Sequence, residues 1–264
     1  RAGCGLAKLL IPEPLIPAAL AIAPSATAFA LPIDDSTADI IPHRAAQVID
    51  HALAGARCAA IGPALGTSPG ASAATLRLLT QTDIPVVADA DAINCMAAIP
   101  DIGPDIRAPL ILTPHPGEFA RLAASLHISA DDPPTAAESL ARRLGAIVIL
   151  KSQRTIVTDG HTTWTHDAPN PLLATAGSGD VLTGVIASLI AQHVRPHIPL
   201  GSFTKASQHL GGLSLYDAAR LAVAIHADAA AAYRDATART GGMLATDLLD
   251  RIPDAVERRR TRPH

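Results

Sequence analysis

Aromatic side chains are scarce in this chain: three Phe, two Tyr and one Trp make up 2% of its 264 residues. So few rings cannot build the stacking platform on which single-stranded nucleic acids are bound. A strong charge of one sign is lacking as well. The net charge is −3, which leaves no electrostatic footprint for nucleic acid or an anionic membrane surface. Cysteine is rare and odd in number, with Cys4, Cys58 and Cys95 widely spaced in apolar surroundings. They read as reduced core residues of a cytoplasmic protein, not as bridges or zinc ligands. The eleven histidines invite a metal reading, but no Cys-x-x-Cys pair accompanies them and no metal ligand is assigned. Residues 9–31 form the longest apolar stretch, and Pro12, Pro14, Pro17 and Pro24 interrupt it, so it makes a poor membrane span. It also lacks the basic start and small-residue cleavage pattern of a signal peptide.

What is present is a large apolar content, 48% hydrophobic against 17% charged, with a mean hydropathy of +0.26. A chain of this length and composition buries a full core, as one large α/β domain or as two small ones. Residues 57–61, 84–89, 109–113 and 146–151 are short apolar runs of the kind that form buried parallel strands. Helices are expected at 71–81, 119–126 and 135–144, between those runs, and two more after Asp180 and over 216–233. Two further strands, 155–158 and 162–165, flank Asp159-Gly160, a hairpin signal. Strands alternating with helices imply an α/β fold whose mostly parallel central sheet is covered by helices on both faces. There is no internal repeat. Residues 193–212 read as a surface loop, rich in Pro and Gly, and residues 254–264 as a solvated, frayed basic tail.

The most informative segment is Asn170-Pro171-Leu172-Leu173-Ala174-Thr175-Ala176-Gly177-Ser178-Gly179-Asp180, which runs into the apolar stretch 181–190. A Gly-Ser-Gly loop opening a helix aims free backbone N–H groups and the positive end of the helix dipole at one point. Such a point binds phosphate or a developing oxyanion. A carboxylate there competes with the anion, unless Asp180 handles a proton while the N–H groups hold a transferring phosphoryl group. The plainer alternative is that Gly177 and Gly179 shape a loop and Asp180 is a helix N-cap.

Other polar groups follow strand candidates in the same way. Asp89 and Asp91 end one strand, residues 113–118 follow the next, and Lys151 ends a third. Open α/β sheets bind ligands beyond the carboxyl ends of their strands, so these segments converge with the Gly177–Asp180 loop on one edge. Singly, each has a bland reading. Asp89 and Asp91 could cap the helix that holds Asn94, Glu118 could complement a helix dipole, and Lys151 could snorkel to the surface.

Together these segments resemble the ADP/ATP-dependent NAD(P)H-hydrate dehydratases, a ribokinase-like, three-layer family that repairs hydrated nicotinamide cofactors. The resemblance rests on Leu112-Thr113-Pro114-His115-Pro116-Gly117-Glu118-Phe119-Ala120-Arg121-Leu122 and on Ala174-Thr175-Ala176-Gly177-Ser178-Gly179-Asp180-Val181-Leu182-Thr183-Gly184. Gly62-Pro63-Ala64-Leu65-Gly66, Asp89-Ala90-Asp91-Ala92-Ile93-Asn94, Lys151 to Thr155, and Gly241-Gly242-Met243-Leu244-Ala245-Thr246-Asp247-Leu248-Leu249 support it in the expected order. The resemblance implies that Asp180 is the base and that Gly177, Ser178 and Gly179 form the anion hole. It implies that Gly66, His115, Asp91, Asn94, Glu118 and Asp180 face the hydrated dinucleotide. Lys151, Ser152, Gln153, Arg154, Thr155 and Gly179 would face the nucleotide, ADP or ATP, with Mg2+ bridging its phosphates. Relatives of this fold commonly assemble, so a homo-oligomer such as a tetramer is expected.

Three departures stand out. Ala64 replaces a family glycine, so a site that needs a positive φ there must bend differently. Ser152 replaces another glycine. Arg1-Ala2-Gly3-Cys4-Gly5-Leu6 resembles the segment after the family's first strand, loop and helix, so this single domain, 1–264, is expected to lack that unit. Two other readings remain: a ribokinase-like vitamin-precursor kinase, and an inactive nucleotide-binding remnant.

Overall fold

The computed structural model describes residues 1–81, 83–194 and 212–261. The chain runs through β1 (Lys8–Pro12), α1 (Ile16–Ile22), β2 (Thr27–Leu31), α2 (Pro42–Leu53), β3 (Ala59–Ile61), α3 (Pro69–Leu79), β4 (Val86–Ala88), α4 (Ala90–Ala98) and β5 (Leu110–Leu112). It continues with α5 (Pro116–Ser125), α6 (Pro133–Leu144), β6 (Ala146–Leu150), β7 (Thr155–Thr158), β8 (Thr163–His166), α7 (Ser178–His193), α8 (Leu215–Thr237) and α9 (Ala245–Thr261).

The central sheet has six strands in sequential order, β3-β4-β5-β6-β7-β8. The pairs from β3 to β6 are parallel, while β6-β7 and β7-β8 are antiparallel. Parallel neighbours need a long crossover, which α3, α4 and the α5–α6 pair supply; the antiparallel end needs only turns. The β7–β8 turn is Asp159-Gly160-His161-Thr162, in which the Asp159 carboxylate accepts the N–H groups of His161 and Thr162. β1 and β2 pair parallel in a separate two-stranded sheet, joined through the proline-broken 9–31 segment. That segment therefore reads as strand, helix and strand. No described helix is long and apolar enough to cross a membrane.

Alternation along each strand divides the core in two. Val86, Ala88, Leu110, Leu112, Val148 and Leu150 face one way and pack with α3, α4, α5 and α6. Val87, Ile111, Ile147, Ile149 and Val157 face the other way, onto α7, α8 and α9. Strands this apolar on both faces are what a sheet covered twice requires. The three-layer architecture expected from the alternating pattern is the one found.

Two expectations change. The basic end is not frayed, because α9 continues to Thr261 even with Pro253 inside it. Leu248, Ile252 and Ala255 are buried against α8, and Arg259 makes a two-pronged pair with Asp228 at 2.5 and 2.9 Å. A 3.6-residue apolar stripe under the arginines was the missed signal. The three cysteines are unbridged, but Cys4 is exposed, and only Cys95 is fully buried. Burial pushes the half-buried Cys58 thiol up to about 12, which leaves it inert. The loop expected at 193–212 lies mostly outside the described residues.

Because Ala255 packs against the core, Ala255→Asp should place an unpaired carboxylate there and cost on the order of 3 kcal/mol in denaturant unfolding. An unchanged midpoint would return the end of the chain to a frayed tail.

Candidate active site

The carboxyl ends of four neighbouring strands are stitched to one another just beyond the sheet. Asp89 N–H donates to Ile61 O at 3.0 Å, Thr113 N–H to Ala88 O at 3.1 Å, and Lys151 N–H to Pro114 O at 2.8 Å. These bonds bring the β3, β4, β5 and β6 exits together. The turn Gly62–Gly66 leaves β3 at this edge. A side chain at Gly62, where φ is +126°, would meet Asp89 O at 1.7 Å, so only glycine fits. Ala64 sits at φ +54°. The loop therefore does not bend differently to accommodate the alanine; the alanine itself takes the left-handed conformation.

Asp89 is the centre of the arrangement. It is the N-cap of α4, accepting Ala90 N–H at 2.9 Å, and is 1% exposed. Lys151 Nζ donates to its Oδ1 at 2.7 Å and Thr183 Oγ1 to its Oδ2 at 2.7 Å. Burial alone would raise the Asp89 pKa, but the Lys151 charge and these hydrogen bonds outweigh it and hold the carboxyl below its usual range. Lys151 therefore does more than snorkel. Its ammonium lies against the loop at the start of α7: a Cβ on Gly179 would stand 3.2 Å from Nζ and 3.7 Å from Asp89 Oδ2. Glycine at 179 keeps that approach open.

The N-cap of α7 is Gly177, at φ +80°, and no side chain caps this helix. Asp180 is the third helical residue, so the N-cap reading of it is wrong. Ser178 N–H donates to Thr175 O and Val181 N–H to Gly177 O. Among the described residues nothing accepts from Gly179 N–H or Asp180 N–H. Two free donors, a helix N-terminus and a lysine ammonium thus surround one point, a combination that attracts an anion. The Asp180 carboxyl is open to solvent at its rim. Partial burial and then the Asp89 charge raise its pKa, while Lys151 partly opposes them. A raised carboxyl beside an anion site is a better proton acceptor than an ordinary carboxylate.

The other expected residues form two linked groups. Gly66 N–H donates to Asp91 Oδ2 at 2.8 Å, Asn94 Nδ2 to Asp91 Oδ1 at 3.4 Å, and Arg121 Nε to Asn94 Oδ1 at 2.9 Å. These tie the glycine turn to α4 and α5. His115 and Glu118 form a capping box on α5. The His115 Nδ1 accepts Gly117 N–H at 2.9 Å, Glu118 Oε2 accepts His115 N–H at 2.8 Å, and His115 Nε2 lies 3.2 Å from Glu118 Oε1. Nδ1 is thereby held within the box, while the half-exposed ring stays open for contact. Ser152, Gln153 and Arg154 are exposed in the β6–β7 turn; Ser152 Oγ donates to Arg154 O, and Arg154 pairs with Asp167 at 3.0 Å.

Among the described residues no three His, Cys, Asp or Glu side chains converge into a metal cage. Two histidines do stand four apart in sequence, His193 and His197, but Pro196 separates them and His197 lies outside the described residues. The sequence reading missed Thr183, Arg121 and His226. Thr183 lay one helical turn beyond Asp180, near enough to share the helix start with it, and that spacing was the usable signal.

The chain matches the NAD(P)H-hydrate dehydratase (Carb_kinase) family over residues 1–254. It belongs to that family. A bifunctional NAD(P)H-hydrate repair enzyme from Salinibacter ruber is 35% identical over 257 residues, covering 96% of this chain and 43% of that protein. An ADP-dependent (S)-NAD(P)H-hydrate dehydratase from Neisseria meningitidis serogroup B is 34% identical over 193 residues, 71% of this chain and 59% of that protein. The chain thus spans less than half of the first relative and under two thirds of the second. A ribokinase-like superfamily protein from Enterococcus faecalis superposes with a TM-score of 0.74 at 20% identity, covering 97% of this chain and 78% of its own; that likeness is one of fold. The family match fits the ribokinase-like fold and the two long motifs from which membership was expected.

Two predictions come from this geometry. Ala64→Gly should relieve the left-handed alanine and stabilise the protein by about 1 kcal/mol, read from the unfolding midpoint. Loss of stability would mean that the alanine methyl makes a needed contact. In a carboxyl-carbon NMR titration, Asp89→Asn should lower the Asp180 pKa by removing a like charge, and Lys151→Ala should raise it. Shifts of the same sign in both variants would contradict the assigned electrostatics.

Proposed function

We propose that this chain uses ADP or ATP to dehydrate hydrated NADH or NADPH, with Asp180 as base and the start of α7 as the phosphoryl site. The hydroxyl on the saturated ring carbon is a poor leaving group. Asp180 takes its proton as the oxygen bonds to the terminal phosphorus of the nucleotide, and AMP or ADP departs. The ring nitrogen lone pair then expels the phosphate, the adjacent carbon gives up a proton, and the ring double bond returns. The products are NAD(P)H, inorganic phosphate and the shortened nucleotide, so every atom of the lost water is accounted for.

The observation that carries this reading is the raised Asp180 carboxyl placed beside the free Gly179 and Asp180 N–H groups and the Lys151 ammonium. Charge developing on the transferring phosphoryl group meets donors already in place, an arrangement that is effective because nothing must reorganise. Lys151, Ser152, Gln153, Arg154 and Thr155 would line the nucleotide's path, and Gly66, Asp91, Asn94, His115 and Glu118 the dinucleotide's. The names carried by the Salinibacter and Neisseria relatives support the substrate and the ADP donor. Among the described residues no cluster of carboxylates would cage a metal, which fits a magnesium ion that would arrive on the nucleotide's phosphates and keep most of its water. Such an ion would neutralise phosphate charge.

Asp180→Asn should abolish turnover of hydrated NADH while leaving ADP affinity, measured by calorimetry, within a few-fold of wild type. A variant that keeps most of its turnover would remove Asp180 as the base. In the wild type the rate should fall as pH drops through the raised Asp180 pKa, since only the ionised carboxylate accepts the proton.

A further inference from the structure

His226 is buried in the otherwise apolar layer between α7 and α8. Its Nε2 lies 2.9 Å from the Ser178 carbonyl oxygen and 3.1 Å from Ser178 Oγ. A carbonyl oxygen can only accept, so Nε2 carries the hydrogen, and the ring is fixed in one tautomer. Burial depresses its pKa to about 4, so it stays neutral. The Nε2–H is shared between two oxygens of one residue, and the Ser178 hydroxyl hydrogen is turned away from the ring.

The Ser178 carbonyl and the Gly179 N–H belong to a single peptide unit. That unit is planar and trans, so the two bonds point in opposite directions, and holding one end fixes the other. The Gly179 N–H is one of the two free donors at the start of α7. As the first helical residue Ser178 also directs its carbonyl along the α7 ladder, toward the N–H of Leu182. With no side-chain cap on this helix, the His226 bond is a further anchor on that plane, supplied from α8. We infer that His226 is a positioning residue which, by gripping the Ser178 carbonyl from α8, sets the direction of the Gly179 N–H toward the phosphoryl group. For its consequence in turnover the inference rests on the proposed dehydratase reaction; for its geometry it does not.

The test compares His226→Phe, which keeps the ring volume and loses the donor, with His226→Gln, which keeps an N–H donor. Ile225→Val on the same helix serves as a packing control. In amide NMR with inorganic phosphate as the probe, the wild-type Gly179 resonance should shift on titration. That response should vanish in His226→Phe, persist in His226→Gln, and be unaltered in Ile225→Val. With hydrated NADH and ADP, His226→Phe should lose roughly tenfold or more in kcat, with the KM for ADP within about threefold, and His226→Gln should recover most of the loss. A response retained by His226→Phe, or lost equally in His226→Gln or Ile225→Val, would overturn the assignment. So would a wild-type Gly179 amide indifferent to phosphate. A wild type that turns over no hydrate yet shows the full set of phosphate responses would sink the dehydratase reading and leave the positioning role standing.

Discussion

Asp89 carries a charge into the core, and three elements depend on how that charge is satisfied. Its carboxylate caps α4, holds the Lys151 ammonium at the end of β6, and takes the Thr183 hydroxyl from α7. Its carbonyl lies so close to Gly62 that the β3 turn must be glycine there. A buried carboxylate is costly unless it is paired and hydrogen-bonded, and here the pairing is complete. The same bonds that neutralise it place Lys151 beneath Gly179. Satisfying one buried charge thus assembles the electropositive point at which α7 begins.

The site combines two demands that oppose each other. An anion needs positive potential, supplied by the α7 N-terminus and Lys151. A base needs a carboxyl with a raised pKa, which positive potential would lower. Asp89 reconciles them: it neutralises part of the lysine charge and adds its own repulsion to Asp180, so that burial and Asp89 together outweigh Lys151. Thr183 and His226 act from behind the loop, one on Asp89 and the other on the Ser178 peptide. The carboxyl beside the anion site therefore keeps a raised pKa in spite of the nearby lysine, because a second carboxylate stands close to it.

Much of this was legible in the sequence where chemistry and local pattern coincide. The apolar runs around Val87, Ile111 and Val148 announced a doubly covered sheet, because strands buried on both faces cannot alternate with polar residues. The Gly-Ser-Gly-Asp loop announced an anion site, because a glycine-rich helix start leaves backbone N–H groups uncapped and open to a ligand. What stayed hidden depends on distance in space. Asp89 meets Lys151 and Thr183 across 62 and 94 residues, and His226 meets Ser178 across 48. A histidine in an alanine-rich helix reads only as a buried group in search of a partner. β1, α1 and β2 were obscured by the prolines of the 9–31 segment, which sit at element ends where they are tolerated. The arginines of the chain end masked the apolar stripe of α9.

The most direct test of the central claim is to follow, in one reaction, the reduced-nicotinamide absorbance and the nucleotide consumed when the protein meets hydrated NADH with ADP or ATP. The account predicts growth of the absorbance band in step with conversion of the nucleotide to AMP or ADP, one phosphate released per cofactor restored. Consumption of nucleotide without the band, leaving a phosphorylated alcohol, would contradict it.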